Sequence, residues 1–140
     1  MRFKKLTPDA ITPTRGTTHA AGLDLYADTS CLLVNHITQT VGTGIAVEIP
    51  EGYVGLLFVR SSLGKAGVSL VNAVGVIDSD YRGEIMLALI YSANVGGHYV
   101  HRGDRIGQLV VVPAPLFDLQ EVDELSETTR GTGGFGSTGR

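Results

Sequence analysis

Short apolar runs with two-residue alternation, separated by glycine or proline, dominate the chain. Ile45, Val47 and Ile49 alternate with Ala46 and Glu48, and the run stops at Pro50 and the turn Glu51-Gly52. Residues 56–59, 84–90, 106–112 and 116–122 read as further short strands. Gly22-Leu23-Asp24-Leu25-Tyr26-Ala27 alternates as well and places a carboxylate in a strand. Two β-prone runs, Val68–Val71 and Val74–Ile77, flank the Asn72-Ala73 turn with Gly75 close behind, and read as a hairpin. No window sustains a 3.6-residue apolar period; the helical signal is confined to a turn or two at residues 61–66. Many short strands at close spacing predict an all-β domain, an antiparallel barrel or jelly-roll-like fold.

The pattern changes at Ser126. From there the chain is polar and then glycine-rich, ending Arg130-Gly131-Thr132-Gly133-Gly134-Phe135-Gly136-Ser137-Thr138-Gly139-Arg140. Such a composition builds no core and predicts a mobile arm, 126–140, beyond a β-rich core, 1–125. The usual fate of a terminal glycine-rich segment is disorder. Here an arginine and one phenylalanine sit among glycines and hydroxyls, which together offer a phosphate partner, a stacking face and backbone donors. We read the arm as functional.

Composition narrows the class. At 140 residues the chain makes one domain, long enough to bury about 68% of its unfolded surface. With 18% charged residues and 19 glycines it is globular and turn-rich. The net charge of -3 argues against general nucleic-acid binding, which favours a basic face. A local arginine cluster can still hold an anionic small molecule. Cys31 is the only cysteine, so no intrachain disulfide or cysteine-based metal cluster forms; its neighbours Leu32, Leu33 and Val34 point to a buried strand thiol. Lys4 and Lys5 have no apolar run behind them, and no run approaches the ~20 residues of a membrane helix, so a soluble, intracellular protein is expected.

Chemistry gathers in a few places. Immediately after the hairpin come Asp78, Asp80, Tyr81 and Arg82, where two strands would normally carry few charges. A site that grips a flat base, stacks a sugar and activates a water needs such a set. Arg60-Ser61-Ser62-Leu63-Gly64-Lys65 follows a strand and opens the helical turn; it suits an anion, or an ordinary serine N-cap. Gln108 lies amid Ile106, Leu109 and Val110 and must find a polar partner. Asp24 alone would most often lie on a solvated face. His98 and His101 have metal-like spacing but read as loop residues, and no phosphate-binding P-loop or dinucleotide fingerprint occurs.

In chain order these pieces resemble the five signature motifs of the homotrimeric deoxyuridine triphosphatases (dUTPases). They are AGLDLYA at 21–27, RSSLGKAG at 60–67, NAVGVIDSDYRGEI at 72–85, GDRIGQLVVVP at 103–113 and RGTGGFGSTG at 130–139. Val59 stands where a proline commonly precedes the Arg-Ser pair, and Val74 where many bacterial members have proline. The resemblance implies a β-clip trimer hydrolysing dUTP to dUMP and pyrophosphate, with Mg²⁺ as cofactor and no nucleic-acid or membrane partner. By the same resemblance Asp78 activates the attacking water and Asp24 anchors Mg²⁺ through water. Arg60, Ser61, Ser62, Gly64 and Gln108 hold phosphates. Asn72 and the backbone at Gly75, Val76 and Ile77 read uracil, and Tyr81 packs beneath the deoxyribose. Phe135 closes over the base, with Arg130, Gly136, Ser137 and Thr138 completing the arm's grip.

Two rivals follow from the same residues. A dCTP deaminase shares the fold but carries a glutamate at a position corresponding to Ala88, and alanine cannot move a proton. A non-catalytic nucleotide-binding regulatory trimer is the other, yet none of Asp78, Tyr81, Arg130 or Phe135 is missing.

Overall fold

In a computed structural model, which describes residues 1–93 and 96–134, the alternating runs become ten strands and one helical turn. They are β1 (Arg2–Lys5), β2 (Leu23–Tyr26), β3 (Cys31–Val34), β4 (Gln39–Glu48), β5 (Tyr53–Val59), α1 (Ser61–Lys65), β6 (Val68–Leu70), β7 (Gly75–Ile77), β8 (Glu84–Tyr91), β9 (Gly97–Val100) and β10 (Arg105–Pro113). One sheet has the order β1-β4-β8-β6, a second β2-β10-β5-β7, and β3 pairs with β9 alone. Every ladder between these strands is antiparallel. This is the all-β, jelly-roll-like class that the spacing predicts.

Period two sets which side chains go inside. Along β8, Ile85, Leu87 and Leu89 are sealed from solvent while Met86 is exposed. They join Val41 and Ile45 of β4, Leu57 of β5, and Ile106 and Leu109 of β10 in one continuous core. Each such aliphatic side chain contributes roughly 1.5–3 kcal/mol by leaving water. The two four-stranded sheets therefore hold each other through this shared layer.

A bulge in β4 needs its own bracing. Pairing with β8 slips between Gly42 and Ala46, which leaves backbone groups off the ladder. The buried Thr43 hydroxyl donates to the carbonyl of Ile85 at 2.7 Å and accepts from the amide of Ile45 at 3.3 Å. Glu84 accepts from the amide of Gly44 at 2.8 Å, where φ is +65°. Its carboxylate lies over Gly42 so closely that a side chain there would collide with it. Glu84 thus braces the bulge.

Four local expectations are corrected. β6 and β7 are joined by a turn at Asn72-Ala73 but do not pair; β6 adds to β8 and β7 to β5, in different sheets. The turn is tight: Ala73 has φ +60°, and the amide of Val74 donates to the carbonyl of Asn72 at 2.6 Å. A proline at position 74 has no N–H to make that bond. Residues 116–122 form no strand and pair with no edge of the sheets, and Leu116, Phe117 and Leu119 are exposed. His98 belongs to β9, where its ring packs at a tilt against Tyr91, 6.1 Å between centroids. Cys31 lies in β3 and is only half-buried, yet desolvation already pushes its thiol up, away from the reactive thiolate.

Thr43→Val keeps the volume of a buried side chain but leaves the Ile45 amide and the Ile85 carbonyl without their partner. Unfolding in urea at fixed protein concentration should show a loss of about 1–3 kcal/mol. An unchanged midpoint would mean that the bulge is held by its neighbours alone.

Candidate active site

Asp24 lies in β2 between Leu23 and Leu25, and the strand's twofold period turns it away from the core. It is nevertheless 1% exposed. Such burial of a carboxylate demands compensation, and three side chains from two other elements supply it. Gln108 of β10, directly opposite in register, donates from Nε2 to Oδ1 at 2.9 Å. Arg60, where β5 passes into α1, reaches Oδ2 with Nη1 at 3.1 Å. Arg105, at the start of β10, meets the same oxygen at 3.3 Å. Two cations around one anion leave this group with a net positive charge, which suits a polyphosphate.

The chain turns sharply beside it. Arg60 is the N-cap of α1 and no side chain caps the helix, so the hydroxyls of Ser61 and Ser62 are not spent on capping. Both serines are exposed, and open space lies above Gly64. The serine-cap alternative therefore does not hold, and the segment keeps its polar groups turned outward.

The second group lies at the far edge of the same sheet. β7 pairs with β5 on one side and is the edge strand on the other. Gly75 is pressed against Leu57 of β5, where an added Cβ would lie 2.9 Å from the Leu57 Cβ, so the close approach of the strands needs glycine. Val76, on the outer side, is 62% exposed, an unusual position for a β-branched apolar residue in a strand. Beyond Ile77 the chain turns, with the amide of Tyr81 donating to the carbonyl of Asp78 at 3.1 Å. The Tyr81 hydroxyl donates to the carbonyl of Glu84 at 3.0 Å, and the ring leaves no room for a side chain at Gly83. Arg82 donates to the carbonyls of Ser79 and Tyr81 at 2.7 and 2.9 Å, clamping the turn from within. Val76, Ile77, Asp78, Tyr81, Glu84 and Met86 line an open cavity of about 160 Å³.

Asp80 does not share this cavity. The turn at Ser79-Asp80 ends the strand alternation, and Asp80 lines a larger groove with Arg2, Glu48, Glu51 and Arg82. There Arg2 hydrogen-bonds Glu48 and holds its carboxyl below the usual range. Asp78 and Asp80 are therefore separate carboxylates.

The structure brings Asp24, Arg60 and Gln108 together, with Ser61, Ser62 and Gly64 alongside, and separately Val76, Ile77, Asp78 and Tyr81 around one cavity; Gly75 packs on Leu57 at the start of β7 and Asn72 lies on the turn before it. Asn72 is exposed on its turn. Arg130 joins neither group; its Nε donates to the carbonyl of Gly133 within its own turn. Phe135, Gly136, Ser137 and Thr138 lie outside the described residues. Asp24 aligns with Gln108 and Phe58 across β2, β10 and β5, whereas Asp78 lies one strand further and beyond the row of Gly55. With strands about 4.8 Å apart and a rise of about 3.3 Å per residue, Asp24 and Asp78 of one chain are roughly 20 Å apart.

Among the described residues no group of three or more His, Cys, Asp or Glu could hold a metal ion. His98 and His101 do not make one; His101 pairs with Asp104 at 3.6 Å. A protein-built metal cage is thus excluded for that part of the chain. A Mg²⁺ carried by phosphates, retaining its waters, needs only one or two carboxylates. Asp24 Oδ1 accepts a single protein donor and has lone-pair capacity left for a metal-bound water. The residues fit that mode. No helix among the described residues is long and apolar enough to cross a membrane.

Arg105, Arg82 and Glu84 are the positions whose parts the sequence did not disclose. In a regular strand Arg105 and Gln108, three residues apart, point to opposite faces. The signal that could have revealed Arg105 is the pair of glycines, 103 and 107, around it, since glycine in a strand often marks a bulge.

Comparison with known proteins agrees with this geometry. The dUTPase family model matches residues 9–139. The chain is 45% identical over 141 aligned positions to the deoxyuridine 5'-triphosphate nucleotidohydrolase of Corynebacterium efficiens, covering all of this chain and 78% of that protein. It is 41% identical to that of Nautilia profundicola, covering all of this chain and 99% of the relative. Among solved structures, the Staphylococcus bacteriophage 80alpha dUTPase with dUpNHpp superposes with a TM-score of 0.90 at 29% identity, over 99% of this chain and 98% of that one. A mutant dUTPase from phage phi11 of S. aureus, described with a structural Mg(II) ion, gives 0.82 at 26% identity, over 88% and 96%. With the five motifs, the two polar groups and the β-clip architecture in agreement, the chain belongs to the dUTPase family.

Proposed function

We propose that the chain hydrolyses dUTP to dUMP and pyrophosphate, acting as a homotrimer inside the cell. The observation that carries the reading is the outer edge of β7 beside Asp78 and Tyr81. An edge strand offers main-chain donors and acceptors at fixed spacing, which suits the edge of a uracil ring. Asn72 at the turn and the backbone of Gly75, Val76 and Ile77 form that reader. A cytosine would leave some of these groups unpaired, at a cost that discriminates strongly. Tyr81, fixed through its hydroxyl to Glu84, supplies the flat face beneath the deoxyribose and leaves no room for a 2′-hydroxyl.

Asp78 takes a proton from water as the water oxygen bonds to the α-phosphorus. The bond from that phosphorus to the bridging oxygen breaks, and pyrophosphate leaves. Arg60, Ser61, Ser62, Gly64 and Gln108 hold the phosphates, and Asp24 would hold Mg²⁺ through water. Mg²⁺, when bound, neutralises charge on the triphosphate and orients it. These side chains position the substrate, and the reaction is governed by placement and electrostatics. Arg130, Phe135, Gly136, Ser137 and Thr138 of the arm 126–140 cover the base and the outer phosphates.

The distance between the two polar groups supports a site shared between chains. A triphosphate cannot meet Asp78 and Asp24 of one chain when about 20 Å separates them, given the strand spacing. A second copy supplying its phosphate group to the first copy's Asp78 removes the difficulty. The exposed apolar side chains of the segment after β10 point the same way: Phe117 is 81% and Leu119 100% exposed, which favours burial against another subunit. The deaminase reading is not favoured, because Ala88 lies within β8 opposite Thr40 and brings no proton-carrying group.

dUTP with Mg²⁺ should yield pyrophosphate rapidly, while dCTP, dTTP and UTP react orders of magnitude more slowly; ammonia release from dCTP would refute the assignment. Asp78→Asn should lower kcat about 10²-fold or more while retaining affinity for a non-hydrolysable dUTP analogue. Near-normal single-turnover hydrolysis in that variant would transfer the base to another group. Tyr81→Ala should narrow the ratio of kcat/KM between dUTP and UTP, and an unchanged ratio would locate ribose exclusion elsewhere. Truncation after Thr129 should remove most activity, and subunit exchange with Asp78→Asn should restore it at about one quarter of sites in an equimolar random trimer. No recovery after exchange verified by mass spectrometry would confine the arm to its own chain.

A further inference from the structure

Arg105 occupies a position that a regular strand would deny it. β10 pairs with β2 as Arg105 to Tyr26, Gly107 to Leu25 and Gln108 to Asp24, so Ile106 is one extra residue. Tyr26 and Asp24 are two apart on β2 and share a face. Their partners Arg105 and Gln108 therefore share it too, although three residues separate them. The bulge is thereby aimed: it turns Arg105 onto the oxygen of Asp24 that Arg60 also holds. It is also fixed from behind. Ile106 is sealed in the core, and a Cβ at Gly107 would lie 2.5 Å from Leu87 Cδ2 and 3.0 Å from the Phe58 carbonyl.

The duplication at Oδ2 has a consequence for the nucleotide. Asp24 is buried and needs a cation at all times. If Arg60 were its sole counter-ion, drawing Arg60 onto a phosphate would strip a buried charge, and that cost would be subtracted from the affinity. A second guanidinium removes the conflict. We infer that Arg105 is a positioning residue, the standing counter-ion of Asp24 that releases Arg60 for the triphosphate. This rests on the phosphate-holding role proposed for Arg60. Arg105 acts through Asp24 and touches no reacting atom. Its side chain is the more exposed of the two, 51% against 23%, so it keeps contact with water while serving the buried oxygen.

The test compares Arg105→Gln and Arg105→Lys with the full-length parent by calorimetry, with the imido analogue dUpNHpp and with dUMP as probes, each in EDTA. EDTA removes the metal, so the readout is the protein's own grip on the nucleotide. Arg105→Gln should weaken dUpNHpp binding by at least about tenfold, as removing a counter-ion from a buried carboxylate does. dUMP, which reaches the base reader but has no β- or γ-phosphate, should bind as in the parent. Arg105→Lys, which keeps the charge, should recover most of the loss. In steady state the loss should fall on KM for dUTP more than on kcat. Unchanged dUpNHpp affinity in Arg105→Gln would overturn the inference. So would an equal loss for dUMP, or the absence of rescue by lysine, each of which would make Arg105 a general structural support. If the parent fails to bind dUpNHpp with or without Mg²⁺, the functional reading falls and this inference with it; if the parent binds only with Mg²⁺, the same comparison is read with the metal present, and equal binding by Arg105→Gln then overturns only the inference.

Discussion

The buried carboxylate of Asp24 is the constraint around which one half of this domain is arranged. A charge removed from water requires partners in good geometry, and here they come from both strands that follow β2 in its sheet. The register of β10 against β2 places Gln108 opposite, the end of β5 places Arg60, and a bulge places Arg105. The same interactions that offset the burial of Asp24 concentrate positive charge at one spot on the sheet. Fold stability and anion binding thus draw on a single cluster.

Departures from regular strand geometry occur where the chemistry is. One bulge re-aims Arg105; another, in β4, opens between Gly42 and Ala46 and is filled by Glu84 and Thr43. Glu84 then links two levels of organisation. Its side chain stabilises the β4 bulge, and its carbonyl receives the hydroxyl of Tyr81. The turn that presents Asp78 is held by Arg82 through main-chain carbonyls, independently of side-chain chemistry in the cavity. Irregular backbone at these points is supported by specific hydrogen bonds, as an ordered site requires.

The two polar groups on one sheet are too far apart to act on one nucleotide within one chain, while each is well formed in itself. The proposed association of identical chains would solve this without new side chains, by bringing one copy's edge strand to another copy's phosphate group. It would also give the exposed apolar residues after β10 a surface to pack against. In the proposed arrangement activity would be coupled to assembly: a chain that folds but fails to associate would carry both halves and use neither.

The sequence by itself determined the class of fold, the positions of most strands between residues 23 and 113 though not β9, and the chemical inventory of the candidate site. These are written in local signals: twofold alternation, glycine and proline punctuation, and five motifs whose spacing is short range. Tertiary structure decided the rest. It separated Val68–Leu70 and Gly75–Ile77 into different sheets, the first pairing with β8 and the second with β5, pairings between strands that no local signal at the Asn72-Ala73 turn specifies. It left residues 116–122 unpaired, since strand formation needs a neighbour as well as a propensity. It buried Asp24, which alternation alone would have put in water, because three donors distant in sequence converge on it. It also gave Arg105 its place, since the slip of one residue that turns it toward Asp24 exists only when β2 and β10 are side by side.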